Sequence, residues 1–174
     1  MKFNPSLFLS IYVNSSNIGK TEEYISKGFN ASILYPSSVY GASPTRGGFW
    51  DFAIQQFITG KPYWGYQPFP SDFMTAWIHV DDLADCYIAV ARRGEKGGHY
   101  LAAPEDLSIS QMATLFAQAA GVKFQPPIFE NKDNVVFDDS YTRDVLQLDW
   151  KYKVADEVKA WVERIQELGI YFLE

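Results

Sequence analysis

Two hydrophobic rhythms alternate along the chain. Residues 7–13 (LFLSIYV) form a β-branched and aromatic run that predicts a strand, and residues 14–17 (NSSN) make a turn. Residues 18–27 can then be helical up to a stop at Gly28, and residues 32–35 (SILY) predict a second strand. Strand, helix and strand in this order make a βαβ unit, whose crossover sets the two strands parallel and side by side. The fold class that follows is α/β.

Pro36 closes the second predicted strand and opens a Gly/Pro/Ser loop, residues 37–48 (SSVYGASPTRGG). An aromatic helix is expected over residues 49–59, ended by Gly60 and Pro62. Residues 62–73 (PYWGYQPFPSDF) are too irregular for a regular element and too apolar for a free linker; such a segment packs over a site. Residues 76–80 (AWIHV) read as a short strand. A helix follows, with Asp81 or Asp82 as N-cap, apolar positions 83, 87, 90 and 91, Arg92 and Arg93 in the last turn, and Gly94 as stop. Residues 99–102 predict a further strand. Ser108 and Gln111 make a capping box for a helix with apolar positions 109, 112, 113, 116, 119 and 120. A short helix is expected over residues 141–148. A last one, over residues 154–168, puts Val158, Trp161, Val162, Ile165 and Leu168 on one stripe.

The 174 residues suffice for one domain with a real core, and 47% hydrophobic against 21% charged residues is a globular balance. A formal net charge of −6 argues against nucleic acid, whose phosphates select clustered Lys and Arg. The longest apolar run, residues 7–13, is far too short to span a bilayer and lacks a small-x-small cleavage pattern behind it. Cys86 is single and lies in an apolar helical stretch, so it reads as a small buried thiol in a reducing, cytoplasmic setting. His79, Asp81, Asp82 and Asp85 resemble a metal cluster only on paper: the acids start a helix, where carboxylates cap amides, and no metal is expected.

Three segments in order carry a family resemblance: ILYPSSVYGASPTRGG, AWIHVDDLADCYIAVAR and GGHYLAAPEDLSISQMATLFAQAAG. Together they resemble the later half of the extended short-chain dehydrogenase/reductases, the NAD-dependent epimerase/dehydratase group, with dihydroflavonol-reductase-like members nearest. The resemblance implies an incomplete Rossmann-type doubly wound parallel sheet with a small C-terminal α/β substrate-binding part. Residues 1–48 would be the last βαβ part of the nucleotide-binding sheet and residues 49–174 the substrate-binding part, in one unit without a linker. The implied cofactor is NAD or NADP, faced by Pro36, Ser37 and Val39, with Ser38, Tyr40, Arg46, Phe49 and His79 toward a small-molecule substrate. Ligands beyond the carboxyl ends of strands are also what an open α/β sheet favours.

Departures from the family pattern matter equally. Lys20 stands where the lysine of the family's Tyr-x-x-x-Lys pair belongs, and so carries the catalytic and ribose-binding expectation, but Ser16 occupies the place of the tyrosine. A serine hydroxyl is a much weaker acid than a phenol. No Gly-x-x-Gly-x-x-Gly motif occurs to cradle a pyrophosphate. Thr75 and Ala76 stand where nucleotide-sugar enzymes often carry an arginine, which argues against such a substrate. The sequence thus predicts a truncated oxidoreductase or epimerase with impaired catalysis, or a non-catalytic remnant or interaction module. An apolar sheet edge left open would draw a second copy or a complementary chain. A third reading takes residues 14–21 (NSSNIGKT) as a P-loop with Asn14 in place of its first glycine, where Lys20 would grip phosphate and Thr21 would hold Mg²⁺.

Overall fold

The computed structural model describes residues 7–10, 15–41, 74–123 and 136–167. Strand β1 (Leu7–Ser10), helix α1 (Ser15–Ser26) and strand β2 (Ala31–Pro36) make the expected βαβ unit. β1 and β2 run parallel, with Leu7 opposite Ala31 and Ser10 opposite Leu34. Strand β5 (His99–Ala102) lies parallel on the other side of β2, giving the order β1-β2-β5. This first sheet therefore draws strands from both sides of residue 48.

A second sheet is built from β3 (Ser38–Tyr40), β4 (Met74–His79) and β6 (Glu105–Ser108), in the order β3-β4-β6. β3 is parallel to β4, and β6 is antiparallel to it. The fold is α/β with the parallel Rossmann-type arrangement that the sequence implied. The expected aromatic helix at 49–59 and the segment 62–73 lie outside the described residues.

Helix α2 (Val80–Arg93) begins two or three residues earlier than Asp81 or Asp82 as N-cap would give. Its N-cap is His79, whose Nδ1 accepts the Asp81 N–H at 3.2 Å, while Asp81 and Asp82 occupy the first turn beside the positive end of the helix dipole. An imidazole nitrogen takes the acceptor place that a carboxylate oxygen was expected to fill, which spacing alone does not reveal. Helix α3 (Ile109–Ala120) carries the full capping box, with Gln111 N–H on Ser108 Oγ and Ser108 N–H on Gln111 Oε1, and ends at a left-handed Gly121. Helices α4 (Ser140–Leu146) and α5 (Val154–Glu167) complete the described elements.

Two apolar cores result. Leu34, Tyr100 and Ala102 of the first sheet pack with Ile78 and with Leu83, Cys86, Ala89 and Val90 of α2. Tyr40 and Trp77 of the second sheet pack with Met112 and Phe116 of α3 and with Val158, Trp161 and Ile165 of α5. Buried carboxylates tie loops to these cores. Asp82 accepts the backbone N–H groups of Lys151 and Tyr152. Asp139 accepts from Ala103 N–H, the Trp150 indole and Arg143.

Candidate nucleotide-side corner

β2 ends at Pro36 and β3 begins at Ser38, so Ser37 is the one residue between them; the sheets are joined a second time where β5 passes to β6 through Ala103 and Pro104. The Ser37 N–H donates to the Ala102 carbonyl at 2.9 Å, which fixes the corner against the end of β5. Its Oγ is buried and has no hydrogen-bond partner among the described residues. A buried hydroxyl without a partner costs free energy, and this one lies at the carboxyl end of a parallel strand, the side on which open α/β sheets carry their ligands. Pro36 and Val39 beside it are half-buried and present apolar surface. Ser38 meets Thr75 across the sheet, Oγ to Oγ1 at 3.3 Å.

Tyr40 and His79, which the resemblance put toward a substrate, pack against each other and against further aromatic rings. Tyr40 is 3% exposed, stacked on Trp161 at 5.9 Å and edge-on to His79 at 5.2 Å. Its hydroxyl is buried without a partner among the described residues. Burial above all, then the charges of Glu105, Asp82, Glu157 and Asp156, pushes the phenol's pKa well above its ordinary value, so it stays protonated. His79 is 7% exposed, stacked on Tyr152 at 4.1 Å, and spends Nδ1 on the helix cap. A Cβ on Gly41 would lie 2.9 Å from His79 Nε2, so the chain leaving β3 presses directly on this ring.

Lys20 is exposed on α1 and makes no hydrogen bond or ion pair among the described residues, whereas its neighbour Thr21 is buried. Arg46 and Phe49 lie outside the described residues. Sequence reasoning missed Thr75 as the hydroxyl partner of Ser38, because a three-residue strand inside a Gly/Pro/Ser loop has no periodicity from which to read a register. Among the described residues no group of three His, Cys, Asp or Glu is placed to hold a metal ion, and no helix is long and apolar enough to cross a membrane.

A parallel sheet with a crossover helix is the Rossmann-type arrangement. The sequence model of the NAD dependent epimerase/dehydratase family matches residues 21–103. That match is to the family the three segments resemble. No curated protein matches the chain. Among solved structures, the enzyme WbmF of Bordetella bronchiseptica with NADH superposes with a TM-score of 0.74 at 18% identity, over 94% of this chain and 59% of that one. UDP-glucuronic acid 4-epimerase of Bacillus cereus, with NAD and UDP-glucuronic acid, gives 0.70 at 17% identity, over 88% and 51%. RMD of Pseudomonas aeruginosa with NADPH gives 0.65 at 16% identity, over 84% and 51%. The chain thus spans little more than half the length of these proteins.

Proposed function

We propose that the chain forms the nicotinamide and substrate side of an NAD(P)-dependent oxidoreductase or epimerase acting on a small molecule. The observation that supports this most directly is the orphaned Ser37 hydroxyl at the carboxyl end of β2. It suits the carboxamide of a nicotinamide, with Pro36 and Val39 as apolar neighbours of the ring. The sequence holds no glycine motif for the pyrophosphate, so these residues fit the ring end of the cofactor only. When bound, the nicotinamide supplies a hydride donor or acceptor for a hydroxyl or keto carbon. Ser37 would orient it, Lys20 would contribute charge toward the ribose, and Ser38, with Arg46 and Phe49, would face the substrate. Residues 1–48 supply the nucleotide side and residues 49–174 the substrate side, with β5 the described strand of the later part that joins the nucleotide sheet. A cytoplasmic setting belongs to the same reading, as does a second copy or complementary chain on β1, which pairs only with β2 among the described residues.

Binding without turnover is the second reading. It rests on Ser16, which stands four residues before Lys20 where the family pattern has a phenol. Titration of NADH and NADPH by fluorescence tests both. Ser37→Ala is expected to weaken binding by about 3- to 10-fold, the worth of one hydrogen bond. The same substitution should stabilise the cofactor-free protein by roughly 1 kcal/mol, because an unpaired buried group disappears. Absence of saturable binding at about millimolar cofactor, or equal affinity in the variant, would overturn the assignment. Saturable binding without hydride transfer to any keto substrate would select the second reading.

A further inference from the structure

A cleft of about 290 Å³ lies between the outer half of α2 and residues 147–151, and shares no residue with the Ser37 corner. Its middle is apolar, formed by Ile88, Ala89, Leu148 and Trp150. Ile88 is 47% exposed there, an uncommon position for a large aliphatic side chain on a helix that otherwise buries its apolar face. Trp150 is a fixed part of the floor, since its indole N–H donates to Asp139 Oδ2 at 2.8 Å.

The two ends of the cleft differ in what they still have to offer. At one end the acids are used: Asp82 accepts backbone N–H groups, and Asp85 is ion-paired to Lys151. At the other end the cations are not. Arg92 makes no hydrogen bond or ion pair among the described residues, and the one bond given by Arg93 is from Nε to the Leu146 carbonyl at 2.6 Å, which leaves its two terminal nitrogens. Gln147 adds an exposed amide at that end, held by its left-handed backbone at φ 50°. Asp149 is the remaining carboxylate of the wall and opposes an anion.

We propose that this cleft binds a small carboxylate with an apolar body, its anionic head on Arg92 and Arg93 and its body over Ile88, Leu148 and Trp150. Planar guanidinium groups pair carboxylates in two-point geometry, and a rigid apolar floor lowers the ordering cost of the body. The volume suits a ligand near the small end of the usual range for such pockets.

The probe is 3-phenylpropionate, with 3-phenylpropan-1-ol as its uncharged counterpart, titrated into the whole chain and followed by two-dimensional ¹H–¹⁵N NMR. The acid is expected to bind with a Kd of about 1 mM or tighter, with shifts centred on residues 88–93 and 147–151. The alcohol, Arg92→Gln and Ile88→Ser should each weaken binding at least about fivefold, and Asp149→Asn should tighten it by about twofold. Both Arg92 and Ile88 are exposed, so these variants keep the fold, which the unperturbed part of the spectrum verifies directly. No saturation by about 20 mM, equal binding of acid and alcohol, wild-type affinity in Arg92→Gln, or shifts centred elsewhere would each overturn the proposal.

Discussion

Asp139 offers the sharpest test of how this chain holds together. The residue is 6% exposed, and its carboxylate accepts three side-chain or backbone donors: Ala103 N–H at 3.3 Å, Trp150 Nε1–H at 2.8 Å and Arg143 Nε at 3.0 Å. Asp139→Ala leaves the first two donors unpaired beneath the surface, at about 1–3 kcal/mol each. The Arg143 pair is half-exposed and adds only about 0.5 kcal/mol. A total loss of about 4 kcal/mol is expected. Asp139→Asn retains one acceptor oxygen and should lose about 2 kcal/mol. Urea unfolding followed by circular dichroism reads this directly: with an m-value of about 2 kcal/mol/M, the alanine variant's midpoint falls by about 2 M. A double-mutant cycle with Trp150→Phe isolates the indole bond, and a coupling of about 1–2 kcal/mol is expected. Losses under about 1 kcal/mol in both single variants, or no coupling in the cycle, would refute Asp139 as the tie between β5, α4 and the Trp150 loop.

Gly41→Ala places a Cβ at 2.9 Å from both His79 Nε2 and Val80 Cγ1 and forces a side chain onto φ 128°, so a loss of about 2–4 kcal/mol is expected in thermal or urea unfolding. Burial raises the Asp106 carboxyl above its ordinary value of 3.8, so the native state holds that proton more tightly than the unfolded chain does. Its stabilising contribution is complete below the ordinary value and fades as pH climbs through the raised one. Asp106→Asn, which cannot ionise, should therefore gain stability over the wild type toward pH about 7 and match it near pH about 3. The Cys86 thiol, fully buried and pushed up to about 12 chiefly by desolvation, should react with a disulfide reagent only when urea opens the core; prompt labelling of the folded protein would contradict its packing.

Elements whose ends carry their own chemistry could be read from the sequence. Ser108 with Gln111 and Gly121 bounded α3, and Gly94 ended α2, because each signal acts within one helical turn. The stripe Val158, Trp161, Val162 and Ile165 is buried as its spacing required. β3 and β6 escaped notice for the opposite reason. Three or four residues such as SVY and EDLS become strands only through a partner distant in sequence, and Ser38 opposite Trp77 or Glu105 opposite Trp77 is information that the local pattern does not contain. The Pro36–Val39 corner was reached through resemblance, but that Ser37 Oγ lacks a hydrogen-bond partner among the described residues emerged only from the packing around it. The packing of the Tyr40 ring between Trp161 and His79 was likewise not legible, because those partners lie far away in sequence.

The passage from one sheet to the other through Ser37 has a mechanical consequence. With a one-residue tether whose amide is clamped to Ala102, the two strand blocks can neither slide nor shear independently. Any tilt of one against the other must be taken up by the few backbone torsions at Ser37 and at Ala103–Pro104, the second short link between the sheets. The joint behaves as a gusset rather than a hinge, and a molecule seated against it meets both halves of the fold at a fixed angle.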